Sequence, residues 1–534
     1  MAKSSRNPNE TFKRAVAALQ SGDLAKAARE ARKLSKQAPD AADAWNLRGT
    51  VAQQARASAD AAKFFRRALQ IRPGDPGVLN NLGGALLETG DPDAAIDAYR
   101  QSLDARPDST DTRMNLGNAL TEARRFAEAE TEFRAVVEAK PDEHGAWLNL
   151  GGALIGLRRY ADALEAFEQL VAQGVNTKEV HNNLYNVLVA LGRIDAAEAA
   201  LQDLLALAGD DPKILVNVSV LHFLRERWPA AWESYAKRWQ WQPDEARPFA
   251  PPWWNGEDLA GRKILVWGEQ GLGDEVMFAG MIPDLLDAGA HVVCECDARL
   301  VALLQRSFPE IECLPQRVPP VAEAVAAGID FQTPSGNLGI WYRQREDQFR
   351  GGAPYLKADA ERARALRQAY GGDQGELLVG VTWRSLNPDI GDMKSMALDD
   401  LEPVLRVPGV RFLDLQYGDT ADELAAFAQR TGIRIHHDDA IDPMTDIDGH
   451  AAQIAAMDLV ISISNTTVHM AGALGMPTWC LLKMIPNRCW LLDREDSPFY
   501  GSVRLFRQSE PMNWRPPVEA AAGALAKRVE GATA

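Results

Sequence analysis

The sequence predicts an α-solenoid of seven helix-pair repeats, followed by an α/β region that is built as two lobes. In the first half of the chain, an alanine returns every 34 residues, seven times in succession. In the second half, short apolar runs alternate with helical patterns, which is typical of parallel sheets covered by helices. A period of this length corresponds to one helix-turn-helix unit, and such a unit buries its apolar face only by stacking on its neighbours.

Three series of residues keep the 34-residue step. The alanines are Ala27, Ala61, Ala95, Ala129, Ala163, Ala197 and Ala231. Four residues later stand Ala31, Phe65, Tyr99, Phe133, Phe167, Leu201 and Tyr235, and the repeats end at Pro39, Pro73, Pro107, Pro141, Val175, Gly209 and Pro243. A small residue lets two helices approach closely, an aromatic ring fills the gap beside it, and a proline stops the second helix because it has no N–H to donate. These positions resemble the tetratricopeptide repeat (TPR) over residues 8–243, and TPR arrays usually hold another polypeptide.

The composition limits the partners of the chain. It has 534 residues, of which 46% are hydrophobic and 25% charged, and its formal net charge is −16. This acidic balance argues against nucleic acid and against an anionic membrane surface, because both attract basic proteins. No run of 18 apolar residues appears, so no membrane span is predicted. Residues 1–10 lack the apolar stretch of a signal peptide, and five cysteines without metal-type spacing indicate a reducing compartment, so we expect a cytoplasmic protein.

The chain divides into four segments by pattern. The repeats span 8–243, and a junction rich in proline and tryptophan follows at 244–262. The first lobe, 263–358, is predicted to contain strands at 264–267, 292–294 and 311–314. The second lobe, 359–534, is predicted to contain strands at 377–383, 411–415, 434–436, 458–463 and 478–482, and to end in a helix. Two such units in tandem fit two facing Rossmann-like lobes with a cleft between them.

A glycine-rich turn, Gly-Glu-Gln-Gly-Leu-Gly-Asp-Glu at 268–275, follows the first strand of the first lobe. A dinucleotide-binding interpretation would use Glu295, at the end of the next strand, to bind a ribose. Against it, the spacing differs from G-x-G-x-x-G, and two carboxylates at a helix N-terminus repel phosphate. Asp274 and Glu275 fit better as a helix cap with favourable dipole placement, or as a general base.

A polar, uncharged turn follows a strand of the second lobe. It comprises Ser464, Asn465, Thr466 and Thr467, and it opens a helix of small residues that carries His469. Free N–H groups and hydroxyls at a helix N-terminus form an anion site, for which a nucleotide phosphate is the natural occupant. A helix cap without any ligand is the other interpretation. Because the first turn is acidic and the second is neutral, we assign proton uptake to the first and donor phosphates to the second.

These stretches resemble the glycosyltransferase B (GT-B) fold, and more narrowly the heptosyltransferase-like domains that are attached to TPR arrays. The matching segments are 269–274, 381–385, 415–418 and 464–477. The resemblance implies an α/β, two-lobed, Rossmann-like GT-B domain that uses a nucleotide-sugar donor. In the heptosyltransferases an acid after a Leu/Ile-Gly pair acts as the base, and the matching residue here is Asp274. The residues that the resemblance assigns to donor binding are Gly271, Gly273, Arg384, Lys394, Gln416, Ser464, Asn465, Thr466, Thr467 and His469.

The resemblance implies a single inverting displacement that needs no metal. Asp274 would take the proton of an acceptor hydroxyl as that hydroxyl attacks the anomeric carbon. Arg384, Lys394 and the N–H groups of residues 466–468 would stabilise the leaving phosphate. No cofactor is expected beyond the nucleotide sugar itself.

Two other spots could suggest a metal site. One Asp-x-Asp occurs, at Asp446 and Asp448, but it precedes a helical stretch, which favours Asp448 as a helix N-cap. His436 and His437 stand beside two aspartates, and a solvated loop after a strand is the favoured interpretation there. Neither spot is therefore expected to bind a metal.

Asparagine recurs at the sixth position of the repeat, at Asn81, Asn115, Asn149, Asn183 and Asn217. We expect this position on the inner wall of the array. Because an amide both donates and accepts, such a row could hold the backbone of an extended acceptor peptide without recognising its side chains. Asparagine is also favoured at this place in TPRs generally, so both interpretations stay open.

The leading hypothesis is a cytoplasmic glycosyltransferase that modifies Ser/Thr hydroxyls of a protein held by the array. By resemblance, the TPR-bearing bacterial flagellin glycosyltransferases fit most closely, and those transfer nonulosonic acid sugars from a cytidine-monophosphate (CMP) donor. One alternative keeps the chemistry with a saccharide or lipid-linked acceptor. Another is a TPR scaffold whose transferase half is a non-catalytic binding module.

Overall fold

The structure is a computed structural model that describes residues 7–325, 328–371, 375–387 and 391–533. Contacts divide the chain into two compact units, one up to Leu207 and one from Ala208 onward. Along the described ranges, every helix is too short or too polar to cross a lipid bilayer. The expectation about a signal peptide rests largely on residues 1–6, which lie outside the described ranges.

The first unit consists of helix pairs joined by short turns. Its helices, over the described residues 8–208, are α1 (Pro8–Gln20), α2 (Leu24–Gln37), α3 (Ala42–Gln54), α4 (Ser58–Ile71), α5 (Pro76–Glu88), α6 (Pro92–Ala105), α7 (Thr110–Glu122), α8 (Phe126–Ala139), α9 (His144–Gly156), α10 (Tyr160–Ala172), α11 (Lys178–Ala190) and α12 (Ile194–Ala208). From α1 to α11, each helix packs against the next one in the sequence. The predicted α-solenoid is therefore confirmed for this unit.

The residues that recur every 34 positions form the core of these pairs. All the alanines of the series from Ala27 to Ala197 are fully buried. In four pairs an aromatic ring packs directly on a glycine of the preceding helix. A Cβ atom added to Gly151 would lie 2.5 Å from Cε1 of Phe167. The other three glycines and their rings are Gly49 with Phe65, Gly83 with Tyr99 and Gly117 with Phe133.

The seventh helix pair belongs to the second unit. Its helices are α13 (Pro212–Leu224) and α14 (Trp228–Ala236), and the short α15 (Arg238–Trp241) follows. The Trp232 indole N–H donates to the carbonyl of Arg343 at 2.9 Å. Trp228 packs on Phe349 with ring centroids 4.7 Å apart. The predicted end of the array at residue 243 differs from the division after Leu207, because these indoles join the last pair to the α/β region.

The first lobe holds a parallel sheet in the strand order β3-β2-β1-β4. The strands are β1 (Lys263–Trp267), β2 (His291–Cys296), β3 (Glu312–Pro315) and β4 (Phe331–Pro334), and the helices are α16 (Leu272–Ala279), α17 (Ile282–Asp287), α18 (Val301–Ser307) and α19 (Gly339–Tyr342). Ile264 pairs with Val292 on one side and with Phe331 on the other. The three predicted strands are present, and β4 was not predicted.

The second lobe holds a parallel sheet in the order β6-β5-β7-β8-β9. The strands are β5 (Leu377–Val381), β6 (Val410–Asp414), β7 (Leu459–Ile463), β8 (Thr478–Leu482) and β9 (Val503–Arg507). The helices are α20 (Ala360–Ala369), α21 (Gly391–Lys394), α22 (Glu402–Leu405), α23 (Ala421–Thr431), α24 (Ile447–Ala455), α25 (Thr466–Ala473) and α26 (Arg515–Thr533). The strand predicted at 434–436 is wrong, since a single bridge between Leu413 and His436 forms there.

The two turns that the sequence singles out meet in this fold. One follows β1 and leads into α16, the other follows β7 and leads into α25, and these two helices pack against each other. In parallel α/β sheets, ligands bind outside the carboxyl ends of the strands. The topology therefore places both turns where a ligand is expected.

Candidate functional site

The acidic turn begins α16. Gly271 is the N-cap residue of this helix, with extended backbone and no side-chain capping bond. Asp274 and Glu275 lie in the first turn, where a negative charge interacts favourably with the helix dipole. The prediction that one of them caps the helix is therefore wrong, while the predicted dipole placement is confirmed. Their carboxylates are left available for other contacts.

The neutral turn begins α25, and Asn465 is its N-cap residue. Asn465 Oδ1 accepts from the Thr467 N–H at 3.0 Å, and its Nδ2 donates to Thr382 Oγ1 at 2.9 Å. The side chain of Thr467 also faces inward, with Oγ1 3.2 Å from Nε2 of His450. The side chain of Asn465 therefore caps α25, as the interpretation without a ligand expects. The side chain of Thr467 is used inside the protein. The other N–H groups at this helix start have no acceptor within the helix.

The first turns of α16 and α25 are in direct contact. A Cβ atom on Gly273 would lie 3.2 Å from Cδ2 of His469 and 3.5 Å from Oγ1 of Thr466. A side chain at position 273 would therefore crowd this contact. Asp274 Oδ1 accepts a hydrogen bond of 2.5 Å from Nη2 of Arg488, which belongs to the loop after β8. The acidic turn of one lobe therefore lies against the neutral turn of the other.

Two lysines stand beside this contact. Lys394 and Lys483 line a narrow crevice together with Ser464 and Asn487. Burial lowers the pKa of Lys483 to about 8, and the neighbouring Lys394 adds to that shift. Burial also lowers the pKa of Lys394, while the Asp274 carboxylate opposes the change. Among the described residues, neither ammonium group has a hydrogen-bond or ion-pair partner, so the two lysines are free to bind an anion.

Aromatic side chains form hydrogen bonds with Ser464 of the neutral turn and with His469 of α25. Ser464 Oγ accepts from the Trp490 indole N–H at 2.8 Å. His469 Nδ1 lies 2.9 Å from the hydroxyl oxygen of Tyr500. Burial lowers the pKa of His469 to about 4, so its ring is neutral at neutral pH. His469 can therefore act here as a hydrogen-bonding group but not as a cation.

Two further predicted donor-binding residues, Arg384 and Gln416, bond to groups of the loops that follow β5 and β6. Arg384 Nη1 donates to Glu423 at 2.9 Å, and its Nη2 donates to the carbonyl of Asp419. Gln416 is buried, and its Oε1 accepts from the backbone N–H groups of Trp383 and Arg384. Both side chains brace the loops after β5 and β6, and a donor-binding role for them stays a prediction.

The carboxylates on which the metal and dinucleotide interpretations depend make other contacts in the structure. Glu295 is fully buried and ion-paired with Arg247 at 2.5 Å, so its carboxylate is not available to a ribose. Asp446, rather than the predicted Asp448, caps α24 by accepting from the Gly449 N–H at 2.8 Å. Asp448 instead pairs with an arginine of α18. Within the described ranges, no group of three or more His, Cys, Asp or Glu residues could hold a metal ion.

Three of the repeated asparagines each bond to another asparagine, outside the series, on the preceding repeat. Nδ2 of Asn81 donates to Asn46 at 3.2 Å, Nδ2 of Asn115 to Asn80 at 3.0 Å, and Nδ2 of Asn149 to Asn118 at 2.8 Å. Asn183 occupies the same place on α11, and Asn217 occupies it on α13 in the second unit. The amide row thus already serves the packing of the repeats. Binding of a peptide backbone by this row stays a prediction.

Arg488, Lys483, Trp490 and Tyr500 were not predicted as site residues. The first three belong to one stretch, Lys-Met-Ile-Pro-Asn-Arg-Cys-Trp at 483–490, directly after β8. Two basic residues around a proline, at the carboxyl end of a buried strand, are the signal that could have identified it. Tyr500 offers no such signal, because its contact with His469 depends on the tertiary fold.

Comparison with known proteins identifies the repeats. Tetratricopeptide-repeat models match residues 12–76, and also 86–154, 120–184 and 154–216. The chain is 33% identical over 315 residues to protein FlbA of Caulobacter vibrioides, an alignment that covers 55% of this chain and 52% of FlbA. It therefore spans about half the length of that curated relative.

Two solved structures were also matched over part of the chain. A tetratricopeptide repeat protein from Parabacteroides merdae is 15% identical, with a TM-score of 0.37 over 43% of this chain and 91% of its own. PilW, a type IV pilus biogenesis factor, is 21% identical, with a TM-score of 0.36 over 40% of this chain and 98% of its own. Repeats of the matched type indicate protein–protein interaction. The N-terminal part of this chain is an array of tetratricopeptide repeats.

Proposed function

We propose that the second unit is a GT-B-type glycosyltransferase that works by inversion and without a metal. It would move a sugar from a nucleotide-sugar donor to Ser/Thr hydroxyls of a protein that the TPR array holds. The observation that carries the proposal is the contact between the two turns. It sets a carboxylate of the first lobe, on Asp274, against an electropositive crevice of the second.

The crevice supports the donor half of the proposal. Half-buried cations without partners are costly, and a phosphate group would compensate them. Lys394 and Lys483 offer two ammonium groups, Ser464 offers a hydroxyl, and the start of α25 adds backbone N–H groups and a favourable dipole. These groups match the phosphate of a nucleotide sugar, whose negative charge grows as the bond to the sugar breaks.

The acidic turn supports the acceptor half. In the proposed reaction the acceptor oxygen forms a bond to the anomeric carbon while the bond from that carbon to the donor phosphate breaks. The electron pair leaves with the phosphate, and the acceptor proton passes to a carboxylate. Asp274 is the residue to which the resemblance assigns this role, and the ion pair with Arg488 holds it beside α25. Removing a general base typically slows a reaction by about 10²–10⁴-fold.

The TPR array supports a protein as the acceptor. Such repeats bind polypeptides, and the half-buried amide row offers groups that can bond to a peptide backbone. Flagellin as the acceptor and a CMP-linked nonulosonic acid as the donor follow from the resemblance alone. A saccharide acceptor, or a scaffold without catalysis, is the competing function, and the experiments below separate the three.

The donor site is tested by thermal stabilisation of the full chain with CMP and other nucleotides. A ligand at 100 times its Kd stabilises the native state by about 2.7 kcal/mol. We expect one nucleotide to raise the melting temperature, and the double variant Lys394→Met/Lys483→Met to lose that rise. Lys527→Met, an exposed position on α26, serves as the matched control. If no nucleotide stabilises the chain, the scaffold function is favoured instead.

The acceptor is tested by transfer to a candidate protein, followed by intact mass. Asp274→Asn should abolish transfer while nucleotide stabilisation persists. The triple variant Asn81→Ala/Asn115→Ala/Asn149→Ala should weaken transfer to protein without changing nucleotide stabilisation. Transfer to an oligosaccharide that is indifferent to the asparagine substitutions would favour the saccharide acceptor.

A further inference from the structure

Arg488 stands where the proposed base meets the lysine crevice. It belongs to the stretch 483–490 after β8, and the residue before it, Asn487, lines that crevice. Its Nη2 donates to Asp274 Oδ1 at 2.5 Å and to Gln270 Oε1 at 3.2 Å. One guanidinium group therefore connects the acidic turn of the first lobe to the chain segment that forms the crevice of the second.

This guanidinium group is used on one side only. An arginine has five N–H groups, and the two on Nη2 account for the bonds to Asp274 and Gln270. Nε and Nη1 have no acceptor among the described residues. Neither atom belongs to the fully buried polar atoms without a partner, and the side chain is 19% exposed. Three N–H groups of Arg488 are therefore free, and a ligand can reach them.

Two aromatic rings hold the free side of Arg488 in place. Its Cζ atom lies 4.4 Å from the ring centroid of Tyr235 and 5.7 Å from that of Phe278. Tyr235 belongs to α14 and Phe278 to α16, so the rings come from two different elements. Aromatic rings at these distances attract a cation. A guanidinium group that is already held loses little conformational freedom when it binds an anion.

The charge of Arg488 acts on the groups around the crevice. Burial lowers the pKa of Lys394, and the positive charge of Arg488 adds to that effect. Burial also lowers the pKa of His469 to about 4, and the charges of Lys394 and Arg488 contribute. Charges that perturb each other in this way are close enough for direct electrostatic interaction. An anion in the crevice would therefore interact with Arg488 as well as with the two lysines.

A phosphate matches the free side of Arg488, because a guanidinium group presents parallel N–H groups to two oxygens of one phosphate. We propose that Arg488 binds the donor phosphate through Nε and Nη1 while its Nη2 holds Asp274. The inference rests on the proposed function for the identity of this anion as a donor phosphate. Two anions then share one cation, so each weakens the hold of the other. Donor binding thus leaves the Asp274 carboxylate freer to take up the acceptor proton.

The sharing is tested with inorganic pyrophosphate, which offers phosphate groups without a base or a sugar. Its Kd for the full chain is measured by titration calorimetry. Arg488→Met should weaken binding about 10-fold, because it removes charge-assisted hydrogen bonds. Asp274→Asn should tighten binding about 5-fold, because Arg488 then serves one anion only. Arg494→Met is the matched control, since Arg494 is also 19% exposed but is paired with Glu346 and Asp496, and it should leave the Kd unchanged.

The double variant Arg488→Met/Asp274→Asn separates sharing from simple repulsion between Asp274 and the ligand. If the guanidinium group is shared, Asp274→Asn changes the Kd by less than about twofold once Arg488 is replaced. Equal tightening in both backgrounds, no weakening by Arg488→Met, or no binding of pyrophosphate would overturn the inference. Should Arg488→Met not fold, Arg488→Lys, which keeps a charge beside Asp274 but lacks the planar fork, should still weaken binding about 3-fold.

Transfer assays distinguish this inference from the proposed function. The expected pattern with pyrophosphate, without transfer from any nucleotide sugar, would keep the anion site at Arg488 and reject the glycosyltransferase. Transfer by Arg488→Met with the donor KM of the unaltered chain would reject a role of Arg488 in donor binding and leave the proposed function standing.

Discussion

Replacing two adjacent glycines of α9 by alanine should change stability in opposite directions. Gly151 faces Phe167, which is fully buried, and an alanine Cβ would lie 2.5 Å from the ring carbon Cε1. Overpacking of this kind costs about 1–3 kcal/mol, and we take the upper value because the ring has no space to move. Alanine regains about 1 kcal/mol in helix propensity, so Gly151→Ala should destabilise the helix pair by about 2 kcal/mol.

Gly152 is the matched control, because a Cβ there would meet nothing within 4 Å. Gly152→Ala should therefore stabilise the same helix by about 1 kcal/mol, which leaves a difference of about 3 kcal/mol between the two variants. Native-state hydrogen exchange of the full chain, followed in peptides of α9 and α10, measures this locally. Equal effects of the two substitutions, or stabilisation by Gly151→Ala, would refute the view that the glycine series makes room for the aromatic rings.

Three further predictions concern the second unit. Glu269→Gln breaks a buried ion pair with Arg238 and should lower stability by about 3–5 kcal/mol, visible as a lower melting temperature; an unchanged melt would contradict this. Burial lowers the pKa of His450 to about 4 from an ordinary 6.5, so between these values only the unfolded chain takes up the proton. The free energy of unfolding should therefore fall as the pH falls through that window, by up to about 1.4 kcal/mol per pH unit, and His450→Gln should make the slope shallower in urea titrations at several pH values. Trp490→Phe removes the donor to Ser464 and should change nucleotide stabilisation by about 1 kcal/mol in thermal melts, whereas an unaltered shift would place Ser464 outside the donor site.

The repeat region could be predicted from sequence because one pattern recurs with a fixed step. The alanine series fixes which residues are buried, and the aromatic series marks where rings fill space. The glycines at 49, 83, 117 and 151 also keep the 34-residue step, but their role depends on a ring in the next helix. That relation becomes visible only when the two helices are packed.

Most strands of the α/β region were predicted, β3 and β6 among them, whereas β4 and β9 were missed. Strands β1, β2, β5, β7 and β8 are dominated by apolar residues, whereas β4 is four residues long and β9 contains two arginines. The two turns of the site were found because a polar or glycine-rich stretch after an apolar strand is a local signal. Arg384 and Gln416 were assigned to the site by resemblance, and their bonds to Glu423 and to the backbone of Trp383 could not be foreseen, because they depend on the tertiary fold.

The joining of the seventh helix pair to the first lobe limits how the chain can be dissected. A truncation at residue 243 would strip Trp228 and Trp232 from their sites, and removing a large buried aromatic side chain typically costs about 3–5 kcal/mol. Chimaeras that exchange recognition modules between relatives should instead be joined just ahead of Pro212. Such grafts would carry a foreign array on an intact lobe and, under the proposed function, would allow acceptor choice to be engineered independently of sugar choice.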